Sequence, residues 1–303
     1  MSCPLYAAPN ARRGFTLVEL MVVIIILAIL SSLTLGGLSV GRKKGTTEVT
    51  QFMVQKLSAA IMDRYEEYED LAGSSLSLVQ IRERMREEMP DSWHDVLGSA
   101  GSNLTAANTP AGRAYARYYA AGVAPSPAYA SAECLYMIIT QSGLFPDVLA
   151  DIRPELIGDI DGDGKKEFWD GWKRPIAFFR WAPGFSSDPP SVVAGRRDYS
   201  VVQIADAVNF HDPIDLRQPE EDPSAFALFP LIYSAGPDES TNDPNSTGPS
   251  GYGLITAASG WNAAGLAHPC TFAPGGTGLV GAPDPSNPTA YRDNIFSHDL
   301  MGN

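Results

Sequence analysis

The sequence lacks the short motifs that mark the common enzyme classes. It contains no G-x-x-x-x-G-K-[ST] phosphate loop, no H-E-x-x-H zinc motif and no G-x-S-x-G nucleophile turn. The four histidines are too widely scattered to suggest a shared site: His94, His211, His268 and His298. We therefore predict that the chain is not an enzyme.

Cysteine is also scarce, with three in 303 residues. Cys3 lies in a short basic segment before the first apolar run, which leaves Cys134 and Cys270 in the rest of the chain. Two thiols outside the cytosol can form a disulfide. Alternatively, Cys134 is a buried core residue of the apolar stretch around it. The sequence leaves both interpretations open.

Basic residues are outnumbered by acidic ones, 22 to 35, which gives a formal net charge of -13. A chain of this charge repels nucleic acid phosphate, so we expect no nucleic acid partner. The length is enough for one membrane helix with one sizeable globular domain, or with two small ones.

Charge is almost absent from residues 15–40, where Glu19 is the only ionisable group. A helix over this segment rises roughly 39 Å, which is enough to cross a hydrocarbon core of about 30 Å. A secretory signal peptide has a shorter apolar region of about 7 to 15 residues, and a plain signal anchor is the other alternative. Because an acid in lipid costs about 2.5 to 3.5 kcal/mol on insertion scales, we expect Glu19 to have a positive partner.

The residues from Arg12 to Leu30 resemble the prepilin-type signal of type IV pilins and type II secretion pseudopilins. The resemblance rests on a basic leader, on Gly14 before Phe15, and on Glu19 as the fifth residue after that bond. It implies that a prepilin peptidase removes residues 1–14 and that the new amine of Phe15 is methylated. It also implies that Glu19 pairs with the Phe15 amine of a neighbouring pilin-like subunit.

Beyond the apolar run, residues 41–72 show the three- and four-residue spacing of an amphipathic helix. The apolar stripe is Val49, Phe52, Met53, Leu57, Ile61, Tyr65 and Tyr68. We predict one long helix that ends near Leu71, with a bend or local melting at Gly36, Gly37 and Gly41. Further helices are predicted over residues 78–89, 111–121 and 132–142.

Aromatic and branched residues become frequent after Trp169 and indicate strands. We predict strands over residues 175–181, 199–204 and 226–234, with Pro230 at an edge or a bulge. Long loops rich in proline, glycine and aspartate separate or follow them: residues 183–190, 211–223, 236–251 and 273–288. The expected fold is α+β and pilin-like, with the long N-terminal helix packed on an antiparallel sheet. Residues 73–303 form its globular extracytoplasmic domain.

Residues 159–170 resemble the calcium loop of an EF-hand. Carboxylates occupy positions 1, 3, 5, 9 and 12 of the loop, and glycine occupies position 6. We predict that Ca²⁺ is held by Asp159, Asp161, Asp163, the carbonyl of Lys165, Glu167 and Asp170. Asp170 stands where an EF-hand has glutamate, and no second helix is evident after the loop. The alternative is an acidic turn without an ion.

Two short elements resemble parts of the major pseudopilin of type II secretion. Residues 170–176 are similar to its Asp-Pro-Trp-Gly-x-Pro-Tyr element, and residues 233–238 to its Ser-x-Gly-x-Asp-Gly element. Lys173 and Glu239 replace glycines of that pattern. The resemblance implies that the first element opens the sheet. It also implies a second calcium site at Asp238, with Asp243 and Asp293 as further candidates and ordinary loop aspartates as the alternative.

Together these features predict a structural subunit of a pilus or a type II secretion pseudopilus. The subunit is expected to cross the inner membrane once, with most of the chain extracytoplasmic, and to be extracted into a filament. The alternative function is a ligand-binding module that is anchored in the membrane or displayed at a fibre tip.

Overall fold

A computed structural model of the chain describes residues 16–71, 76–97, 109–126, 129–183, 192–193, 196–197, 228–237 and 294–300. The chain divides into two compact units, residues 1–45 and residues 46–303. Within the described ranges the helices are α1 (Leu17–Leu71), α2 (Leu78–Glu88), α3 (Trp93–Leu97), α4 (Pro110–Ala120), α5 (Ala130–Gln141) and α6 (Ser297–Leu300). Two 3₁₀ turns, Val148–Asp151 and Pro154–Leu156, follow α5.

The strands of the described residues are short and antiparallel. They are β1 (Ile157–Gly158), β2 (Glu167–Phe168), β3 (Ala177–Pro183), β4 (Val192–Val193), β5 (Arg196–Arg197), β6 (Leu228–Ser234) and β7 (Ile295–Phe296). β1 pairs with β2 and β4 with β5, while β6 lies between β3 and β7 in a three-stranded sheet. Helices followed by small antiparallel sheets confirm the predicted α+β, pilin-like class.

Helix α1 ends at Leu71, as predicted. Its backbone is helical through Gly36, Gly37 and Gly41, so the local melting predicted there is not found. Among the described residues, no helix combines the length and hydropathy needed to cross a membrane.

The apolar stripe of α1 forms one wall of the core of the second unit. Its fully buried members are Met53, Val54, Leu57, Ile61, Tyr65 and Tyr68. Phe52 was predicted to belong to the stripe, but half of its surface is exposed and the Lys56 ammonium lies 6.0 Å from its ring centre. Val54 is buried instead, so the buried face of α1 is rotated slightly from the predicted one.

Local capping signals explain where the shorter helices begin. Ser77 and Gln80 form a reciprocal capping box at the start of α2. The Thr109 hydroxyl accepts a hydrogen bond from the Gly112 amide, and Pro110 fills the first turn of α4. The predicted bounds of α2, α4 and α5 therefore agree with the observed ones to within two residues.

The centre of the three-stranded sheet contains an irregularity at Pro230. The register between β3 and β6 shifts between Phe179 and Ala182, so two residues of β3 face one residue of β6 there. Proline has no amide hydrogen for the ladder, and a bulge accommodates it. Of the two alternatives predicted for Pro230, an edge or a bulge, the structure shows the bulge.

Arg180 lies in this bulge and ties β3 to the segment after α2. Its Nη1 donates to Asp95 Oδ2 at 2.7 Å and to the Met89 carbonyl at 2.9 Å. Its side chain is fully buried, as is that of Asp95. A buried guanidinium and carboxylate that are hydrogen-bonded to each other fix the position of one element on the other.

A second polar cluster joins α2 to α1. The carboxylate of Glu88 accepts hydrogen bonds from Arg64 at 2.5 Å, from Arg84 at 3.0 Å and from the Tyr68 hydroxyl. Burial disfavours the charged form of Glu88, but the hydrogen bonds from Tyr68 and Arg64 outweigh it and lower its pKa. The charged carboxylate is therefore part of the folded structure.

Candidate functional site

The first turn of α1 carries a capping box. The Glu19 Oε2 atom accepts from the Thr16 amide and from the Thr16 hydroxyl, both at 2.9 Å. In return, the Glu19 amide donates to the Thr16 hydroxyl at 3.2 Å. This arrangement satisfies two amides that a helix start leaves without partners. Glu19 therefore stabilises the beginning of its own helix, a role that the sequence analysis did not assign to it.

The turns that follow Glu19 expose their apolar side chains. The large apolar residues from Leu17 to Leu30 have exposed fractions between 48% and 74%. These exposed residues lie on all sides of the helix and not along one face. A globular monomer rarely exposes so large an apolar surface, which usually marks contact with lipid or protein.

The acidic loop lies between the paired strands β1 and β2, where Gly158 faces Glu167. Gly162 and Gly164 adopt positive φ angles of 77° and 90°, as the sharp turns of the loop require. The Asp159 carboxylate accepts from the amides of both glycines, at 2.7 Å and 2.9 Å. The loop is therefore held in a compact form by its own first aspartate.

One group of predicted ligands is gathered on the outer side of the loop. Asp159, Asp161 and Asp163 bring carboxylate oxygens within 4.8 Å of one another. However, these carboxylates also accept backbone hydrogen bonds. Asp163 accepts from the amide of Lys165 at 2.8 Å and from that of Ser126 at 2.7 Å.

A second group lies on the inner side and includes a residue that the sequence analysis missed. Glu133, on α5, brings a carboxylate oxygen within 4.8 Å of those of Asp161 and Glu167. Glu133 and Glu167 are both fully buried. The signal that could have found Glu133 is a lone acid in the apolar stretch of a helix, a position that usually requires a partner.

Each of the two buried glutamates accepts a hydrogen bond through only one of its two carboxylate oxygens. The Glu133 Oε2 atom accepts from the indole of Trp93 at 2.5 Å, and the Glu167 Oε2 atom accepts from the Ile160 amide at 3.2 Å. The Oε1 atom of each is buried and has no hydrogen-bond partner among the described residues.

Burial also raises the pKa of both glutamates, in each case to about 8. Nearby carboxylates add to the effect, because Asp161 lies close to both groups. The hydrogen bond from Trp93 to Glu133 and that from Ile160 to Glu167 act in the opposite direction, as does the Trp169 indole beside Glu167. Without a cation, this corner of the protein is unfavourable for negative charge.

The Lys165 side chain forms no salt bridge with these carboxylates within the described residues, although the charges of Asp163 and Glu133 attract its ammonium. Its Nζ atom donates to the carbonyls of Tyr118 and Ala121, both at 2.6 Å, and so caps the C-terminal end of α4. The ammonium also lies 4.7 Å from the centre of the Tyr118 ring. Its backbone carbonyl stays a predicted calcium ligand.

Asp170 is not in either acidic group, in contrast to its prediction as the last loop ligand. Its Oδ1 atom accepts from the amides of Trp172 and Arg174, at 2.8 Å and 2.9 Å, and its Oδ2 atom accepts from the Ser234 hydroxyl at 2.6 Å. The physical reason is that the chain is extended after the loop, first as strand β2 and then through an isolated bridge between Trp169 and Pro175. At about 3.3 Å per extended residue, three residues carry Asp170 roughly 10 Å beyond Glu167.

The two elements noted for their resemblance to the major pseudopilin meet at Asp170. Besides the bond from Ser234, the Arg174 guanidinium donates to the Gly236 carbonyl at 2.7 Å, and the Gly236 amide donates to the Ser234 hydroxyl at 3.1 Å. The first element is a turn that precedes β3, as expected, and the second follows β6. We call this hydrogen-bonded group the Asp170 cluster: Asp170, Arg174, Ser234 and Gly236.

Comparison with known proteins gives one result, at the N-terminus. Residues 9–35 match the model of the prokaryotic N-terminal methylation motif. The chain carries the signal of type IV pilin-like and pseudopilin-like proteins. No curated protein and no solved structure matches the chain.

This pilin-type signal implies a membrane-anchored precursor that a prepilin peptidase processes, and assembly with other pilin-like subunits. The residues predicted to flank the cleaved bond, Gly14 and Phe15, lie outside the described residues. So do the candidates for a second calcium site, Asp238, Asp243 and Asp293, and the predicted strand over residues 199–204.

Of the two cysteines in the predicted mature chain, Cys134 is described. It is a free thiol, fully buried in the core, and burial raises its pKa. This agrees with the interpretation of Cys134 as a buried core residue and not with a disulfide. Cys270 lies outside the described residues.

Proposed function

We propose that the chain is a structural subunit of a pilus or of a type II secretion pseudopilus. The observation that carries the proposal is the methylation motif over residues 9–35, which contains Gly14, Phe15 and Glu19 at the spacing of the prepilin signal. In this proposal residues 15–40 cross the inner membrane once, and most of the chain is extracytoplasmic until the subunit is extracted into the filament.

The exposed apolar surface from Leu17 to Leu30 supports this function. In the precursor that surface would face lipid, and in the filament it would face the same segments of neighbouring subunits. Both environments remove apolar area from water, at roughly 25 cal/mol for each Å². A segment that is apolar on all sides can exchange one environment for the other at little cost.

The geometry of Glu19 supports a further role in assembly. Both of the hydrogen bonds from Thr16 end on the Oε2 atom of Glu19, so the carboxylate can hold its own helix start and still offer its other oxygen. In the proposal this carboxylate meets the methylated amine of Phe15 on a neighbouring subunit. An ion pair is stronger where lipid or packed protein lowers the dielectric constant, so it would favour one register between subunits.

Mass spectrometry of the chain produced together with a prepilin peptidase tests the processing step. We expect the mature protein to begin at an N-methylated Phe15. A mature protein that still begins at Met1, or that begins beyond Leu38, would contradict the proposal.

Two variants at one position then separate capping from charge pairing. Glu19→Gln retains an oxygen that can accept from the Thr16 amide, because glutamine also serves in a capping box. Glu19→Ala loses both the cap and the charge. We expect both variants to enter the membrane and neither to assemble, measured by cross-linking and by filament yield. Normal assembly of Glu19→Gln would show that the charge is not needed.

A further inference from the structure

The acidic loop poses an electrostatic problem that the described residues do not solve. Three carboxylates, from Glu133, Asp161 and Glu167, approach within 4.8 Å, and the two glutamates are completely buried. An unpaired buried charge is costly, and several like charges together are more so. In the part of the chain that the structure describes, no lysine or arginine forms a salt bridge with any of the three.

The unpartnered oxygens indicate where a missing positive charge would lie. Glu133 and Glu167 each keep one buried oxygen without a donor, while the other oxygen is held by Trp93 and Ile160, respectively. A carboxylate fixed through one oxygen, with the second left over, is already oriented as a ligand. Two such groups from different elements, beside a third carboxylate, form a preorganised set of oxygen donors.

We propose that Glu133 of α5, together with Asp161 and Glu167 of the acidic loop, binds one Ca²⁺ ion. All three side-chain donors are oxygens, and no histidine or cysteine is in the group, which suits a hard cation. Ca²⁺ accepts irregular sets of oxygens, whereas Mg²⁺ requires a near-ideal octahedron and retains its water. Backbone carbonyls of the loop, including that of Lys165, and water complete the coordination.

This proposed site differs in two respects from the EF-hand-like calcium site that the sequence predicts for residues 159–170. Glu133, distant in sequence, replaces the glutamate that ends an EF-hand loop, and Asp170 belongs to the Asp170 cluster. The ion therefore joins α5 to the β1–β2 hairpin. α5 also packs on β2, where the rings of Tyr136 and Phe168 have centres 5.1 Å apart.

The test is calorimetric titration of CaCl₂ into the full-length chain in detergent, after treatment with a chelator. We expect binding by the wild type, and an affinity at least about tenfold lower for Glu133→Gln, since even outer-shell substitutions cost 10- to 100-fold at metal sites. Glu66→Gln, an exposed site on α1, is the matched control and should bind as the wild type does. Wild-type affinity in Glu133→Gln, or no binding by the wild type at millimolar Ca²⁺, would overturn the proposal.

Asp163→Asn distinguishes the inner site from the outer one. Asp163 belongs to the group with Asp159, whose members are all at least partly exposed, and not to the group with the buried Glu133. We expect Asp163→Asn to weaken binding less than Glu133→Gln does. The reverse order would place the ion in the exposed group and overturn the assignment. MgCl₂ titrated in the same way should bind at least about tenfold more weakly than CaCl₂, and equal affinity would contradict the choice of ion.

Thermal melting gives a measurement that a folding defect cannot imitate. Glu133→Gln replaces a buried carboxyl group whose charged form is unfavourable without a cation, so in chelator it should melt at the wild-type temperature or above it. In saturating Ca²⁺ the order should reverse, because only the wild type gains fully from binding. A variant that melts below the wild type in both conditions would show that Glu133 has a packing role only, and the proposal would be wrong.

Discussion

Asp170 allows the strongest quantitative prediction, because its buried carboxylate holds together two distant parts of the chain. It accepts three hydrogen bonds, from the amides of Trp172 and Arg174 and from the Ser234 hydroxyl, at 2.8, 2.9 and 2.6 Å. Burial raises the pKa of Asp170, and these hydrogen bonds oppose the shift. Asp170→Ala removes all three bonds and leaves the donors without a partner.

The expected cost follows from the number of bonds. A buried donor left unsatisfied costs about 1 to 3 kcal/mol. Because the bonds from the Trp172 and Arg174 amides are only partly buried, we take the lower half of the range for three donors and expect Asp170→Ala to lower the free energy of unfolding by about 3 to 5 kcal/mol. That is a large share of the roughly 5 to 15 kcal/mol of an ordinary domain. Asp170→Asn retains one oxygen for the two amides and should cost only about 1 to 2 kcal/mol.

Urea denaturation of a fragment of residues 46–303, followed by tryptophan fluorescence, measures these values. Ser234→Ala completes a double-mutant cycle. Because the two side chains share one bond, the double variant should be more stable than the sum of the single effects predicts, by about 1 kcal/mol or more. Single effects that add to within about 0.5 kcal/mol would show that the Ser234 bond does not stabilise the fold.

Two further predictions concern a backbone position and a pH effect. Lys173 has a φ of 65°, a backbone conformation that favours glycine. Because Lys173→Gly and Lys173→Ala both lose the lysine side chain, we expect the glycine variant to be more stable in urea than the alanine variant by about 1 kcal/mol. Equal stability of the two variants would contradict backbone strain at this position. Glu88 has a lowered pKa in the folded protein, so the unfolded state binds more protons than the folded state as the pH falls. The stabilising effect of the Glu88 carboxylate is therefore present above its pKa in the unfolded state and is lost as the pH falls through its pKa in the folded state. Glu88→Gln should therefore flatten the loss of stability on acidification, and an unchanged slope between the two proteins would refute this.

The sequence alone predicted the elements that depend on local signals. The end of α1 at Leu71, the start of α2 at Leu78 and the start of α4, predicted one residue after Pro110, are each determined by residues within one or two turns. The methylation motif is equally local, since it is a contiguous run of residues. Sequence reasoning works in these cases because the interaction that decides the outcome spans only a few residues.

The sequence could not predict contacts between distant segments. The five-residue helix α3 is too short to show periodicity, yet it places Trp93 where its indole holds Glu133. Likewise, the elements at residues 170–176 and 233–238 could each be recognised, but not their meeting through Ser234 and Asp170. The partner of a buried polar group depends on packing, which a linear pattern does not contain.

The position of Asp170 shows how the secondary structure after a loop changes the surroundings of the last loop residue. In an EF-hand, a helix after the loop returns the twelfth residue to the ion, because residues three apart on a helix lie about 5 to 6 Å apart. Here Glu167 begins a strand, which carries the twelfth residue roughly 10 Å away. Asp170 instead holds the turn before β3, and in the calcium proposal a ligand from another element takes its place. Glu133 of α5 brings its carboxylate to the loop, so under that proposal calcium affinity should depend on the packing of α5 against the hairpin and not on the loop alone.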